Sequence, residues 1–133
     1  MLFEALAAKN TGIDDSQVTR LCLSQVEGVY KADWEPLIPV LINESLPRAE
    51  RAAHFHLSMA HTILDQAIHI REDTGVNSVG LAGGVFQNRV LTEKCILLLN
   101  KAGFEVILPL LMPVNDASIS FGQIVEHGYH RRK

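Results

Sequence analysis

The sequence predicts an α/β fold, a helix-rich unit with a small, mostly parallel sheet containing a βαβ unit. Three observations lead there. A long stretch after Pro47 carries apolar residues at helical spacing and stops at Gly75. The period then changes, and Ser78-Val79-Gly80-Leu81-Ala82 is short, apolar and bounded by glycines, as a buried strand should be. Helical spacing returns from Asn88 to Ala102, and a second short apolar run follows from Phe104 to Leu108. Strand, helix and strand in this order make a crossover that is normally parallel and right-handed.

Taken from the start, Leu2 to Ala8 reads as a helix that stops at Asn10-Thr11-Gly12. A second helix is predicted to begin after Asp14, Asp15 or Ser16, because Val18, Leu21, Cys22, Val26 and Val29 recur at helical spacing. Asp33 is placed to cap a short helix whose first turn holds Trp34 and Pro36. Ser45 and Pro47 open the long helix, which runs to about Thr74. Its stripe of Ala49, Ala52, Ala53, His56, Ala60, Ile63, Leu64 and Ala67 is widened by Phe55 and Met59, so contact on more than one side is expected. Leu91, Cys95, Leu98 and Ala102 share one face of the next helix, with Gly103 as its stop. The last helix spans Ala117 to His127, with Ala117, Phe121, Ile124 and Val125 as its apolar line.

These elements form a single unit over residues 1–133, a helical lead-in over 1–46 and a core over 47–133 of long helix plus strand, helix, strand and helix. About five helices with two strands are too few for an independent doubly wound sheet. The chain reads as part of a larger α/β domain, without internal repeats. Its composition, 47% hydrophobic and 20% charged over 133 residues, is that of a folding chain. No apolar run approaches the roughly 20 residues that span a bilayer, and the start lacks a basic segment followed by an apolar one. The expectation is a cytoplasmic protein without a membrane partner. A net charge of -3 argues against a broad nucleic-acid surface, and His130-Arg131-Arg132-Lys133 reads as a frayed tail. Cys22 and Cys95 sit in apolar helical patterns and are expected to be buried, reduced thiols.

Two loops carry chemistry. The first, Leu81-Ala82-Gly83-Gly84-Val85-Phe86-Gln87-Asn88, lies at the carboxyl end of a strand and ahead of a helix. Ligands of open parallel sheets bind at that edge. Glycines let a ligand approach the backbone, and a helix start offers unpaired N–H groups to an anion. The same glycines also serve a plain tight turn, and the stretch matches neither the dinucleotide fingerprint nor the Gly-Lys-Ser/Thr phosphate loop. The second, Pro113-Val114-Asn115-Asp116-Ala117-Ser118, occupies the equivalent position after the second strand. Asn115 or Asp116 caps the last helix there, or Asp116 ligates a metal; one carboxylate alone makes no metal site. His54 and His56 point to different helix faces, and His54 and His61 share a face two turns apart. His56, on the apolar stripe, reads as a satisfied buried or interface histidine.

"FEALAAKNTGI", "AERAAHFHLSMAHTI", "SVGLAGGVFQNRVLTEKCILLLNKAGFEVILP" and "PVNDASISFGQIVEHG" together resemble, in order, the carboxyl-terminal part of HypF-type carbamoyltransferases of [NiFe]-hydrogenase maturation. The resemblance covers essentially the whole chain and is strongest from Ala49 onward. It implies kinship with TsaD-type tRNA threonylcarbamoyl transferases and NodU-type carbamoyltransferases, and a fold that is one half, the second lobe, of an actin-like (ASKHA) ATPase domain. It further implies use of ATP and carbamoyl phosphate to form carbamoyl adenylate, and carbamoylation of the C-terminal cysteine of the partner HypE. Gly83, Gly84, Asn88 and Asn115 would then face the nucleotide. Asp116 would complete a divalent metal site whose histidines belong to the first lobe.

The sequence departs from the family pattern at three places. Members carry serine at Ala82, proline at Val114 and two glycines at Ala117-Ser118; the added side chains stand where backbone should approach a phosphate or metal. The upstream HypF domains are absent from these residues, so no turnover is expected from this chain alone, which reads as a truncated or fragmentary product. The competing readings are a non-catalytic assembly module that forms a homodimer and a small Rossmann-type fold; the latter lacks the glycine spacing and the acidic residue after the second strand.

Overall fold

The computed structural model describes residues 2–8, 13, 15–109 and 112–131. Its longest element is helix α3, Arg48–Thr74, preceded by α1 (Leu2–Ala7), the strands β1 (Leu23–Val26) and β2 (Val29–Ala32), and the short α2 (Ile38–Ile42). After it come β3 (Ser78–Gly80), α4 (Arg89–Lys101), β4 (Glu105–Ile107) and α5 (Ile119–His130). Pro47 precedes the first turn of α3, and Gly75, with φ 75°, closes its last. The expected cap of the short helix is modified: Asp33 Oδ1 accepts the Glu35 N–H at 3.0 Å, two residues ahead of the turn.

β3 and β4 pair in parallel, with Ser78, Val79 and Gly80 opposite Glu105, Val106 and Ile107. The Leu81 N–H continues the ladder to the Ile107 carbonyl at 3.0 Å. The crossover is α4, as the sequence predicts. The core lies between α3, α4 and this pair: Ala60, Leu64 and Ala67 meet Leu81, Leu91, Cys95, Leu98, Leu99 and Phe104. Alanines on α3 let α4 come close, and α1 packs on α3 while touching the start of α4. Burial of both His56 and His61, on different faces, fits the broad contact expected of that helix. The guanidinium of Arg71 lies 4.0 Å from the Phe104 ring centroid and donates to the Ala102 carbonyl at 3.0 Å. A cation thus sits at the carboxyl end of α4, where the helix dipole favours it.

The helix predicted to run from about residue 16 to Val29 is corrected. In its place, β1 and β2 form an antiparallel hairpin with Val26 opposite Val29. The two loop residues explain the difference, since Glu27 and Gly28 have φ of 51° and 79°. Positive φ at both central positions gives the strand-matching twist of a two-residue hairpin, and glycine takes it without strain. Val26 and Val29 are exposed rather than aligned on a buried helical face. Cys22, expected to be buried, is exposed in the loop before β1. The helix stop at Asn10-Thr11-Gly12, the start at Asp14 and the tail at Arg132-Lys133 lie outside the described residues.

Cys95 is 0% exposed, as expected, and burial pushes its thiol up to about 11 from an ordinary 9.0. The unfolded chain therefore loses this proton first as pH rises. Native protein then holds more protons than unfolded protein between about 9 and 11, and stability falls across that window. The expected loss is roughly 2–3 kcal/mol. Chemical denaturation of wild type and Cys95→Ala at stepped pH should show a steeper alkaline decline for wild type; parallel curves would contradict it. A thiol reagent at neutral pH should modify Cys22 at once and Cys95 only after unfolding.

Candidate functional site

Both chemistry-bearing loops leave the carboxyl end of the parallel pair. The Gly83 N–H donates to the Val114 carbonyl at 2.5 Å, joining the first loop to the second. Gly83 has φ 109° and ψ 158°, a region open essentially to glycine. Residues Gly84–Gln87 then make a single tight 3-10 turn, with the Phe86 N–H on the Gly83 carbonyl at 3.0 Å. The first N–H groups of such a turn, those of Gly84 and Val85, have no partner within it. A Cβ built on Gly84 would meet nothing within 4 Å. Packing inside the chain therefore does not demand a second glycine here, whereas the backbone conformation demands the first.

The start of α4 is more occupied than the sequence suggests. Asn88 is its N-cap, and its Oδ1 accepts the Leu91 N–H at 3.1 Å. Glu4, from α1, accepts the Arg89 N–H at 2.6 Å. A carboxylate already sits on that helix end, so the expectation of an open N-terminus is corrected. Any anion in the first loop must rely on the Gly84–Val85 backbone instead. The other hydrogens and lone pair of Asn88 are also partly spoken for: its Nδ2 lies 2.7 Å from Nε2 of His56.

In the second loop Asn115 performs the capping role. Its Oδ1 accepts the Ala117 N–H at 3.1 Å, and its carbonyl accepts from the Ser118 N–H and hydroxyl. Asp116 is exposed and opens a 3-10 turn that leads into α5. Among the described residues no group of three or more His, Cys, Asp or Glu side chains is placed to hold a metal ion. Asp116 can supply one ligand and needs the others from elsewhere. Of the histidines, His61 contacts the Arg20 guanidinium, which also reaches Asp65 at 3.0 Å. His56 is buried and hydrogen bonded, as its place on the stripe predicts.

Residues 1–123 match the family described as carbamoyltransferase, Kae1-like domain, second subdomain. The chain belongs to that HypF carbamoyltransferase family. It is 36% identical over 106 residues to carbamoyltransferase HypF of Synechocystis sp., covering 79% of this chain and 13% of that protein. The probable carbamoyltransferase HypF of Methanocaldococcus jannaschii is 35% identical over 112 residues, covering 80% and 14%. A crystal structure of full-length HypF in its phosphate- and nucleotide-bound form matches with a TM-score of 0.79 and 31% identity, over 91% of this chain and 16% of that one. The tRNA threonylcarbamoyltransferases match at lower identity. The helix-rich α/β architecture is thus that of the actin-like HypF lobe, and the chain spans about a seventh of the HypF proteins it matches.

The spacing of the sequence marks the two loops but not the distant residues that hold them. Glu4 lies 85 residues from Arg89, and His56 lies 32 from Asn88. No local pattern announces either pairing. The polar residue on an otherwise apolar stripe is the one available signal for His56.

Proposed function

We propose that this chain is the nucleotide-facing second lobe of a HypF-type carbamoyltransferase, and that its two joined loops form half of an ATP site. The observation that carries the reading is the Gly83 N–H to Val114 carbonyl bond, which brings both motif loops to one sheet edge beside a backbone that approaches nothing else. The Gly84 and Val85 N–H groups bind phosphate oxygens, as backbone donors in an open turn do. Asn88 and Asn115 hold the nucleotide with the hydrogen-bonding capacity left after capping. Asp116 contributes one ligand to a divalent metal whose remaining ligands are histidines of the first lobe.

In the assembled enzyme, carbamoyl phosphate, water and ATP yield carbamoyl adenylate with release of phosphate and pyrophosphate. The thiol of HypE's C-terminal cysteine loses its proton and attacks the carbonyl carbon; a C–S bond forms, the C–O bond to AMP breaks, and AMP leaves. This chain contributes the nucleotide-facing wall and, without the rest of the enzyme, does not turn over. Titrating ATP into the chain with and without magnesium tests this, and a response no larger than that to sodium chloride at matched ionic strength contradicts it.

A second reading, self-association, has its own support. Every residue from Ile119 to His130 is exposed, including Phe121, Ile124 at 70% and Val125. We infer that a second copy covers this helix, the apolar face of α5 entering the groove of about 330 Å³ beside Ile63, Ile70 and Val79. Light scattering should show a dimer, with Ile124→Glu and Ile70→Glu each monomeric. A monomeric wild type, or a dimer that survives both changes, contradicts it.

A further inference from the structure

The histidine on the apolar stripe of α3 is 2% exposed and bridges two elements. Its Nδ1 lies 2.7 Å from the Ala52 carbonyl, which only accepts, so Nδ1 carries a hydrogen. The Asn88 side chain is oriented from its other end. Its Oδ1 must face the Leu91 N–H at 3.1 Å, which leaves Nδ2 toward His56 at 2.7 Å. An amide nitrogen only donates, so Nε2 of His56 is the acceptor. Both side chains are thereby fixed in one tautomer and one amide orientation.

The linkage extends past Asn88. Its carbonyl accepts the Thr92 N–H at 3.0 Å and the Thr92 hydroxyl at 3.0 Å. The same hydroxyl lies 2.9 Å from the Phe86 carbonyl, and the Asn88 N–H donates to the Val85 carbonyl at 3.1 Å. One buried imidazole on α3 therefore anchors the cap of α4 and, through it, the turn at Gly84–Gln87.

We propose that His56 is a positioning residue for the phosphate-facing turn: it locks the Asn88 amide so that the turn's backbone is held in place relative to α3. The positional claim stands on the hydrogen bonds alone. Its consequence for ligand rests on the nucleotide reading above. A glutamine at this position keeps one acceptor for Asn88 and one donor for Ala52, whereas alanine keeps neither.

Long-range ¹H–¹⁵N spectra of the imidazole should show Nδ1 protonated and Nε2 as an unprotonated acceptor; the opposite tautomer overturns the proposal even if every variant fails to fold. His56→Ala should shift the Val85, Phe86, Gln87 and Leu91 amides and speed Leu91 hydrogen exchange at least tenfold, and His56→Gln should restore most of both. Asn88→Ala combined with His56→Ala should exchange no faster than either alone. Unmoved amides in His56→Ala, failure of glutamine to restore them, or additive effects in the double variant overturn it. In the ATP titration His56→Ala should weaken binding about tenfold. A wild type without any ATP response would sink the nucleotide reading while the amide data still decide the role of His56.

Discussion

Gly84→Asp is expected to weaken ATP binding by roughly 10- to 100-fold while leaving the melting temperature nearly unchanged. A Cβ at Gly84 enters open space, and the backbone there does not require glycine, so the fold has no reason to resist the change. The new carboxylate stands where phosphate oxygens are proposed to bind. At about 4 Å two charges repel by about 1 kcal/mol in water and more beside protein, and a triphosphate carries several. Gly83→Ala gives the contrasting result. At φ 109° an alanine is strained, so that variant should lose roughly 1–3 kcal/mol of stability before any ligand is considered. Calorimetric titration with melting curves separates the two. Equal ATP binding by wild type and Gly84→Asp would show that the turn does not contact phosphate.

Leu99→Ala is expected to remove roughly 2–5 kcal/mol of stability. Leu99 is 0% exposed and belongs to the core cluster that joins α4 to Ala60, Leu64 and Ala67 of α3. Removing its branched end leaves a cavity that a close-packed interior fills only in part. A domain of this size has roughly 5–15 kcal/mol in total, and much of it would go. Urea denaturation should show a lower midpoint at similar slope, and a loss under 1 kcal/mol would mean that α3 and α4 do not pack as described.

Much of the core is legible in the sequence because its signals are local. The alanine stripe of α3 and the face of Leu91, Cys95 and Leu98 follow from periodicity. The hairpin at Leu23–Ala32 was not legible from spacing, since Val18, Leu21, Cys22, Val26 and Val29 satisfy a helical period by coincidence. The decisive signal was the turn at Glu27-Gly28, which overrides an apolar pattern that is mostly exposed in the fold. The two candidate loops were visible as glycine and Asn-Asp motifs past strand ends. Their connection through Gly83 and Val114, and the occupation of the α4 start by Glu4, depend on contacts between distant segments. Such contacts leave no trace in spacing.

A phosphate-binding turn after β3 should be visible in backbone ¹H–¹⁵N resonances during an ATP titration. Saturating shifts are expected at Gly83, Gly84 and Val85, with smaller ones at Asn88 and Asn115. Shifts that never saturate, or that saturate elsewhere while Gly84 and Val85 stay still, would contradict it.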